Sequence, residues 1–148
     1  MNYNYIQTWK YSHKTKKSID KFINSINSMS AFSIFLHDFD DACCLTQRIE
    51  KLNEKYPFLL KTNLAIVRVE IESWYLAGIN NTVASKVDLK RIKSTNNISK
   101  EDFNEMIPKN FDSRIDFMNE LLKEFSIDTA KKKNNSFDYF CTKFVNKL

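Results

Sequence analysis

The sequence predicts an α/β domain, with a small parallel sheet, helices on both faces and a helical C-terminal part. Three observations carry that expectation. Short apolar runs alternate with stretches whose apolar residues recur at helical spacing, as in a chain wound strand, helix, strand. Only 1 Gly and 2 Pro occur in 148 residues, too few for the many tight turns of a sandwich or barrel. Hydrophobic residues make up 43% and aromatic residues 14%, including 12 Phe, enough to build a real core. No internal repeat and no composition shift marks a boundary, so residues 1–148 read as a single domain.

Taken in order, Tyr3 to Trp9 alternates weakly and is expected as a first strand. A basic link from His13 to Lys17 follows. Ile19, Phe22, Ile23, Ile26 and Met29 then recur at helical spacing. Ala31 to His37 is a nearly continuous apolar run, the pattern of a buried parallel strand. Leu45, Ile49, Leu52 and Tyr56 mark the next helix, with Asp41 as its expected N-cap and Pro57 beyond its end. Leu64 to Val69 is a β-branched run expected as a third strand. It leads into a short helix over Glu70–Leu76, and Gly78 stands where a helix C-cap favours glycine. Three strands with intervening helices imply a parallel sheet with right-handed crossovers. In the second half, Ser99 with Asp102 three residues on reads as a capping box. Asp112 is the expected cap of a helix carrying Ile115, Met118, Leu121, Leu122 and Phe125. Lys131 to Asn135 reads as a basic link before a last amphipathic helix with Phe137, Phe140, Cys141, Phe144 and Val145.

The formal charge is +5, from 23 Lys+Arg against 18 Asp+Glu. Such an excess permits an anionic partner without requiring one. With a single glycine there is no phosphate-binding glycine loop, which excludes Walker-type and dinucleotide-binding motifs. The 3 Cys form neither a disulfide framework nor paired zinc-ligand spacing. A reducing cytoplasm fits them best. No apolar segment suggests a signal core or a membrane span.

The run Ile34-Phe35-Leu36-His37-Asp38-Phe39-Asp40-Asp41 carries the most chemical information. An apolar strand pattern ends in three acids. In open α/β sheets, ligands bind beyond the carboxyl ends of the strands. Asp38 and Asp40, two apart, face the same side of an extended chain. Like charges held that close are costly unless a cation neutralises them. Hard oxygen donors of this kind suit Mg2+ or Mn2+, which keep several waters and take substrate phosphate oxygens. A third acid would complete a phosphoryl-transfer site. Glu72 and Glu70 are the candidates, because they follow the neighbouring strand at its carboxyl end. Set against this, Glu70 has a structural role open to it at the amino end of its own helix.

These residues together carry a family resemblance. Asp38-Phe39-Asp40-Asp41-Ala42-Cys43-Cys44, followed by a helix and then Val69-Glu70-Ile71-Glu72-Ser73-Trp74-Tyr75-Leu76-Ala77, resembles the Toprim-like proteins of domain-of-unknown-function family 4276. The resemblance covers about Ile34 to Gly78. It implies a Toprim-like fold and a Mg2+-dependent nuclease-like activity. Asp38 and Asp40 would then be metal ligands, and Glu72 or Glu70 part of the second motif. It also implies a bacterial or phage-defence effector that partners a neighbouring ATPase and acts on DNA or RNA. The chain departs from the Toprim pattern at one point: no Glu precedes Glu50, so the family's first, glutamate-bearing strand has no counterpart. Gly78 likewise replaces an acid that often ends the second motif. A shortened or non-catalytic member fits those departures. The alternative function is therefore an interaction module that docks on an ATPase or forms a homodimer.

Other residues complete the candidate set. Lys14, Lys16 and Lys17, together with Arg68, Lys131, Lys132 and Lys133, are the expected nucleic-acid contacts. Phe137, Tyr139 and Phe140 lie beside the last lysine run, where interleaved aromatics serve single-strand binding or simply a core face. His37 is expected to pack at the sheet edge. Cys43 and Cys44 are expected as small buried hydrophobes, and Trp74 as a core residue.

Overall fold

The computed structural model describes residues 7–39 and 43–145. Where the sequence reads as one domain, chain contacts define two compact units. One contains residues 7–37 and 43–66; the other contains residues 38–39 and 67–145.

In the first unit, α1 (Lys16–Ser28) begins at Thr15, whose hydroxyl accepts the Ser18 N–H at 3.3 Å. Ile19 and Ile23, four apart, bury the inner stripe of this helix. Met29, expected on the same stripe, is the helix C-cap and is 74% exposed. After α1 come β1 (Phe35–Asp38), α2 (Leu45–Lys55), a single 3-10 turn at Lys61–Asn63 and β2 (Leu64–Val67). The strands pair side by side as a small parallel sheet flanked by helices. All four residues of β2 are buried. β1 is not the fully buried strand expected, because Leu36 faces out.

The expected first strand is absent over the part described. Gln7, Thr8 and Trp9 have no regular structure, and Tyr3 to Ile6 lie outside the described residues. The physical reason lies in the rings. Trp9 stacks on Phe22 of α1 with centroids 4.0 Å apart, and Tyr11 stacks on Phe35 at 4.4 Å. The Tyr11 hydroxyl also donates to the Leu36 carbonyl at 2.7 Å. This segment buries its aromatics through rings and one hydroxyl instead of a backbone ladder.

The second unit is helical. It contains α3 (Glu72–Ala77), α4 (Asn81–Lys86), α5 (Lys100–Glu105), α6 (Arg114–Lys123), α7 (Ile127–Lys133) and α8 (Asn135–Phe140), which runs into a π-helical turn at Cys141–Val145. Leu76, Phe103, Phe117 and Leu121 are wholly buried in its core. Phe117 sits 5.5 Å from the Phe103 ring and 4.9 Å from Phe111. That aromatic cluster fixes the inner face of α6. Ile115 and Leu122, expected inside, are consequently exposed. The cap of α6 is Ser113, not Asp112: Ser113 is extended and accepts the Asp116 N–H at 3.1 Å. The basic link expected over Lys131–Asn135 is instead the last turn of α7 plus the cap of α8, where cations complement the helix dipole.

Gly78 does end α3, but with φ −72° it does not use the left-handed conformation. Its need for glycine is one of space. A Cβ added there would run into the Phe125 ring. Among the described residues no helix is long and apolar enough to cross a membrane.

Candidate functional site

β1 ends at Asp38 and β2 at Val67. Parallel strands bring their carboxyl ends to one edge. The Phe39 N–H donates to the Val67 carbonyl at 2.9 Å, continuing the ladder just past Asp38. Val69 then turns the chain with φ 61°. A β-branched residue in the left-handed region is a true outlier, and such backbone costs on the order of 1–3 kcal/mol. Beyond it, Ser73 N–H donates to the Glu70 carbonyl at 3.1 Å and Trp74 N–H to the Ile71 carbonyl at 3.0 Å, which opens α3. The strand end bearing Asp38 and the strained turn into Glu70 therefore share one rim. Asp38 and Glu70 are both half-buried there.

The two glutamates hold different partners. A Glu70 carboxylate oxygen (Oε2) accepts the backbone N–H of Lys100, the first residue of α5. The structural alternative open to Glu70 was the amino end of its own helix; the same dipole attraction operates, but at another helix. Glu72, only 7% exposed, is ion-paired through Oε1 to Arg114 Nη1 at 3.2 Å. Asp40 and Asp41 lie outside the described residues. Among the described residues no three His, Cys, Asp or Glu side chains converge as a cation site. One or two carboxylates with waters and phosphate oxygens is nonetheless the usual complement of Mg2+. Asp38 and Glu70, the described acids at the rim, offer hard oxygen atoms of the kind that ion takes, not thiolate or imidazole.

The Cys pair departs from expectation. Cys43 and Cys44 are both exposed, and Cys44, not Asp41, is the N-cap of α2. Its sulfur accepts the Gln47 N–H at 3.4 Å from an extended backbone, and Cys43 binds the Gln47 side-chain carbonyl at 3.0 Å through its N–H. A thiol drawn into that polar turn is not drawn into a core. The buried cysteine is Cys141, whose thiol pKa burial pushes up. His37, half-buried in β1, lies with Nδ1 2.7 Å from Arg48 Nη2. A guanidinium only donates, so Nδ1 is the acceptor and the ring proton sits on Nε2.

The expected phosphate contacts scatter. Lys14, Lys16 and Lys17 are exposed at the start of α1. Arg68 is exposed just beyond β2, where it donates to Asn97 Oδ1 at 3.3 Å. Lys132 is exposed, while Lys131 lies 3.8 Å from an Asp138 carboxylate oxygen. Lys133 is half-buried and donates to the Ile79 carbonyl. Burial, with Arg91 adding like-charge repulsion, lowers its pKa. Phe137 and Phe140, both half-buried, pack against Trp74 with centroids 5.2 and 5.1 Å away, whereas Tyr139 is 53% exposed with Lys143 Nζ 5.6 Å from its ring centroid.

Sequence reasoning did not single out Arg114, or the buried Asn134. Asn134 Nδ2 donates to Ser73 Oγ at 3.2 Å and to Thr95 Oγ1 at 3.0 Å. Its Oδ1 accepts from Ser136 Oγ at 2.7 Å and from the Phe137 N–H at 3.0 Å. The Trp74 indole N–H completes the chain on Ser136 Oγ at 2.8 Å. This network anchors the helix that carries Glu72. The only signal for it was an Asn three residues before an apolar run, an N-cap spacing.

In comparisons with known proteins, no family model, no curated protein and no solved structure matches the chain.

Proposed function

We propose that the carboxyl rim of the strand pair is a Mg2+-dependent phosphoryl-transfer site of nuclease type. The observation that carries this reading is the register at the rim. The Phe39-to-Val67 bond puts the Asp38 strand end beside the strained Val69 turn that delivers Glu70. Backbone strain of this kind clusters where a side chain must be aimed.

In this reading Asp38 and Asp40 hold the ion, with Glu70 as the third oxygen donor and Glu72 as its alternative. When bound, Mg2+ would neutralise charge on the phosphoryl oxygens. The chain's own part is to hold the donors. Lys100 N–H keeps one Glu70 oxygen in place and leaves the other available. Arg114 does the same for Glu72 at lower exposure. Arg68, exposed directly after β2, would meet a phosphate by exchanging its bond to Asn97. A second reading, a non-catalytic interaction module, is favoured by the partners both glutamates already hold.

Cleavage of labelled single- and double-stranded DNA and RNA, with Mg2+ or Mn2+ and with chelator, separates the two. Metal-dependent cleavage should fall about a hundredfold or more in Asp38→Asn, a loss typical of removing one electrostatic contact to the reacting group. Glu70→Gln should reduce it more than Glu72→Gln. Cleavage indifferent to chelator and to Asp38→Asn would remove the enzyme reading.

A further inference from the structure

The first unit carries a groove that the proposed metal rim does not use. It has a volume of about 460 Å3 and is lined by Lys16, Lys17, Asp20, Lys21, Asn24 and Phe58. That size falls within the usual range of ligand clefts. Five of the six lining residues come from α1, at spacings of one, three and four. They form two adjacent rows, 16-20-24 and 17-21, along one helix face. At 1.5 Å per residue the rows run for about 12 Å. The Asn27 side-chain amide donates to the Phe58 carbonyl at 2.9 Å, which ties the segment bearing that ring to the helix.

Two chemistries meet here. Lys16, Lys17 and Lys21 are exposed, and among the described residues none of them is in an ion pair. Phe58 is 48% exposed, a flat apolar face beside that charge. Asp20 Oδ1 is shielded from solvent, with no hydrogen-bond partner among the described residues, so it presents no accessible acceptor to a ligand. Lysines alone would suit any polyanion. The stackable ring beside them narrows the ligand, and a nucleic-acid single strand offers both backbone phosphates and a base face.

We infer that this groove binds single-stranded nucleic acid. The exposed Lys16, Lys17 and Lys21 track the backbone, and a base stacks on Phe58. A duplex fits poorly, because its bases are stacked on one another and give Phe58 no face. The site shares no residue with the metal rim, so it is tested in chelator, where failure of the rim has no effect on the outcome.

The experiment measures binding of the full chain to labelled DNA and RNA single strands of mixed sequence, to an abasic strand of equal length and to a duplex. The base-bearing strand should bind about tenfold more tightly than the abasic one, in line with the worth of a single stacked base. Phe58→Leu should erase that preference and leave the salt dependence intact, whereas Phe58→Tyr should keep it. Each of Lys17→Gln and Lys21→Gln should cut the slope of log affinity against log salt by about 0.7. Comparing DNA with RNA identifies the natural strand. Equal binding of abasic and base-bearing strands, duplex binding as tight as single-strand binding, or a Phe58→Leu variant that folds and binds like wild type would each overturn the inference.

Discussion

Ser99 and Asp102 show how much one residue pair determines locally. The Ser99 N–H donates to Asp102 Oδ2 at 2.9 Å, and the Asp102 N–H donates to Ser99 Oγ at 3.1 Å. The Ser99 backbone first, and its hydroxyl second, hold the Asp102 carboxyl below the ordinary carboxylate value. A folded-state pKa below the unfolded one gives stability that is present above the unfolded value, ~3.9, and lost as pH falls through the folded value. Asp102→Ala should therefore lower the thermal midpoint at about pH 6, with the difference from wild type fading as pH falls below the unfolded carboxylate value. A difference that stayed constant across that range would contradict this role. The pair was legible because a capping box has a fixed spacing. Asp41 and Asp112 were misread as caps. Asp112 stands directly ahead of Ser113, an equally cap-competent residue, and side-chain chemistry does not choose between them; for Asp41, α2 begins only at Leu45, so the extended Cys44 takes the cap position. Gly78 was placed correctly for the wrong cause, since a ring brought from Phe125 leaves no trace in local sequence.

At the level of elements, the helix that carries Glu72 is short and depends on what surrounds it. α3 spans only Glu72–Ala77 and has no side-chain cap of its own. Isolated helices of that length are unstable in water. Its position comes from Ser73, Trp74 and Leu76, which are buried, and from the Asn134 network that bonds Ser73 directly and Trp74 through Ser136. Asn134→Ala should cost about 3 kcal/mol, because it removes the α8 cap and strands buried hydroxyls at Ser73 and Thr95. Chemical denaturation would measure the loss, and a change under about 0.5 kcal/mol, the usual range for surface substitutions, would contradict the network's role. Helix existence was legible from apolar spacing at α1, α2 and α6, and from the capping box at α5. The missing first strand was not, because weak alternation over Tyr3 to Trp9 does not reveal that Trp9 and Tyr11 pack by their rings.

The whole molecule separates its candidate chemistry by unit. The groove along α1 belongs entirely to the first unit, and the rim bearing Asp38, Val69 and Glu70 entirely to the second. The net charge of +5 suits an anionic partner for either. The rim was legible as an acidic strand end beside a second acidic motif, and the parallel pairing of β1 with β2 brings those two chain segments to one edge. The partners of Glu70 and Glu72 were not legible. Lys100 and Arg114 lie 30 and 42 positions along the chain, and only tertiary packing brings them in. Mn2+ titration of isotope-labelled protein, followed by paramagnetic broadening of amide signals, tests the central claim most directly. Broadening should centre on Asp38, Phe39, Arg68, Val69 and Glu70 and disappear in Asp38→Asn. Broadening centred on other carboxylates, or unchanged by that substitution, would contradict a cation site at the rim.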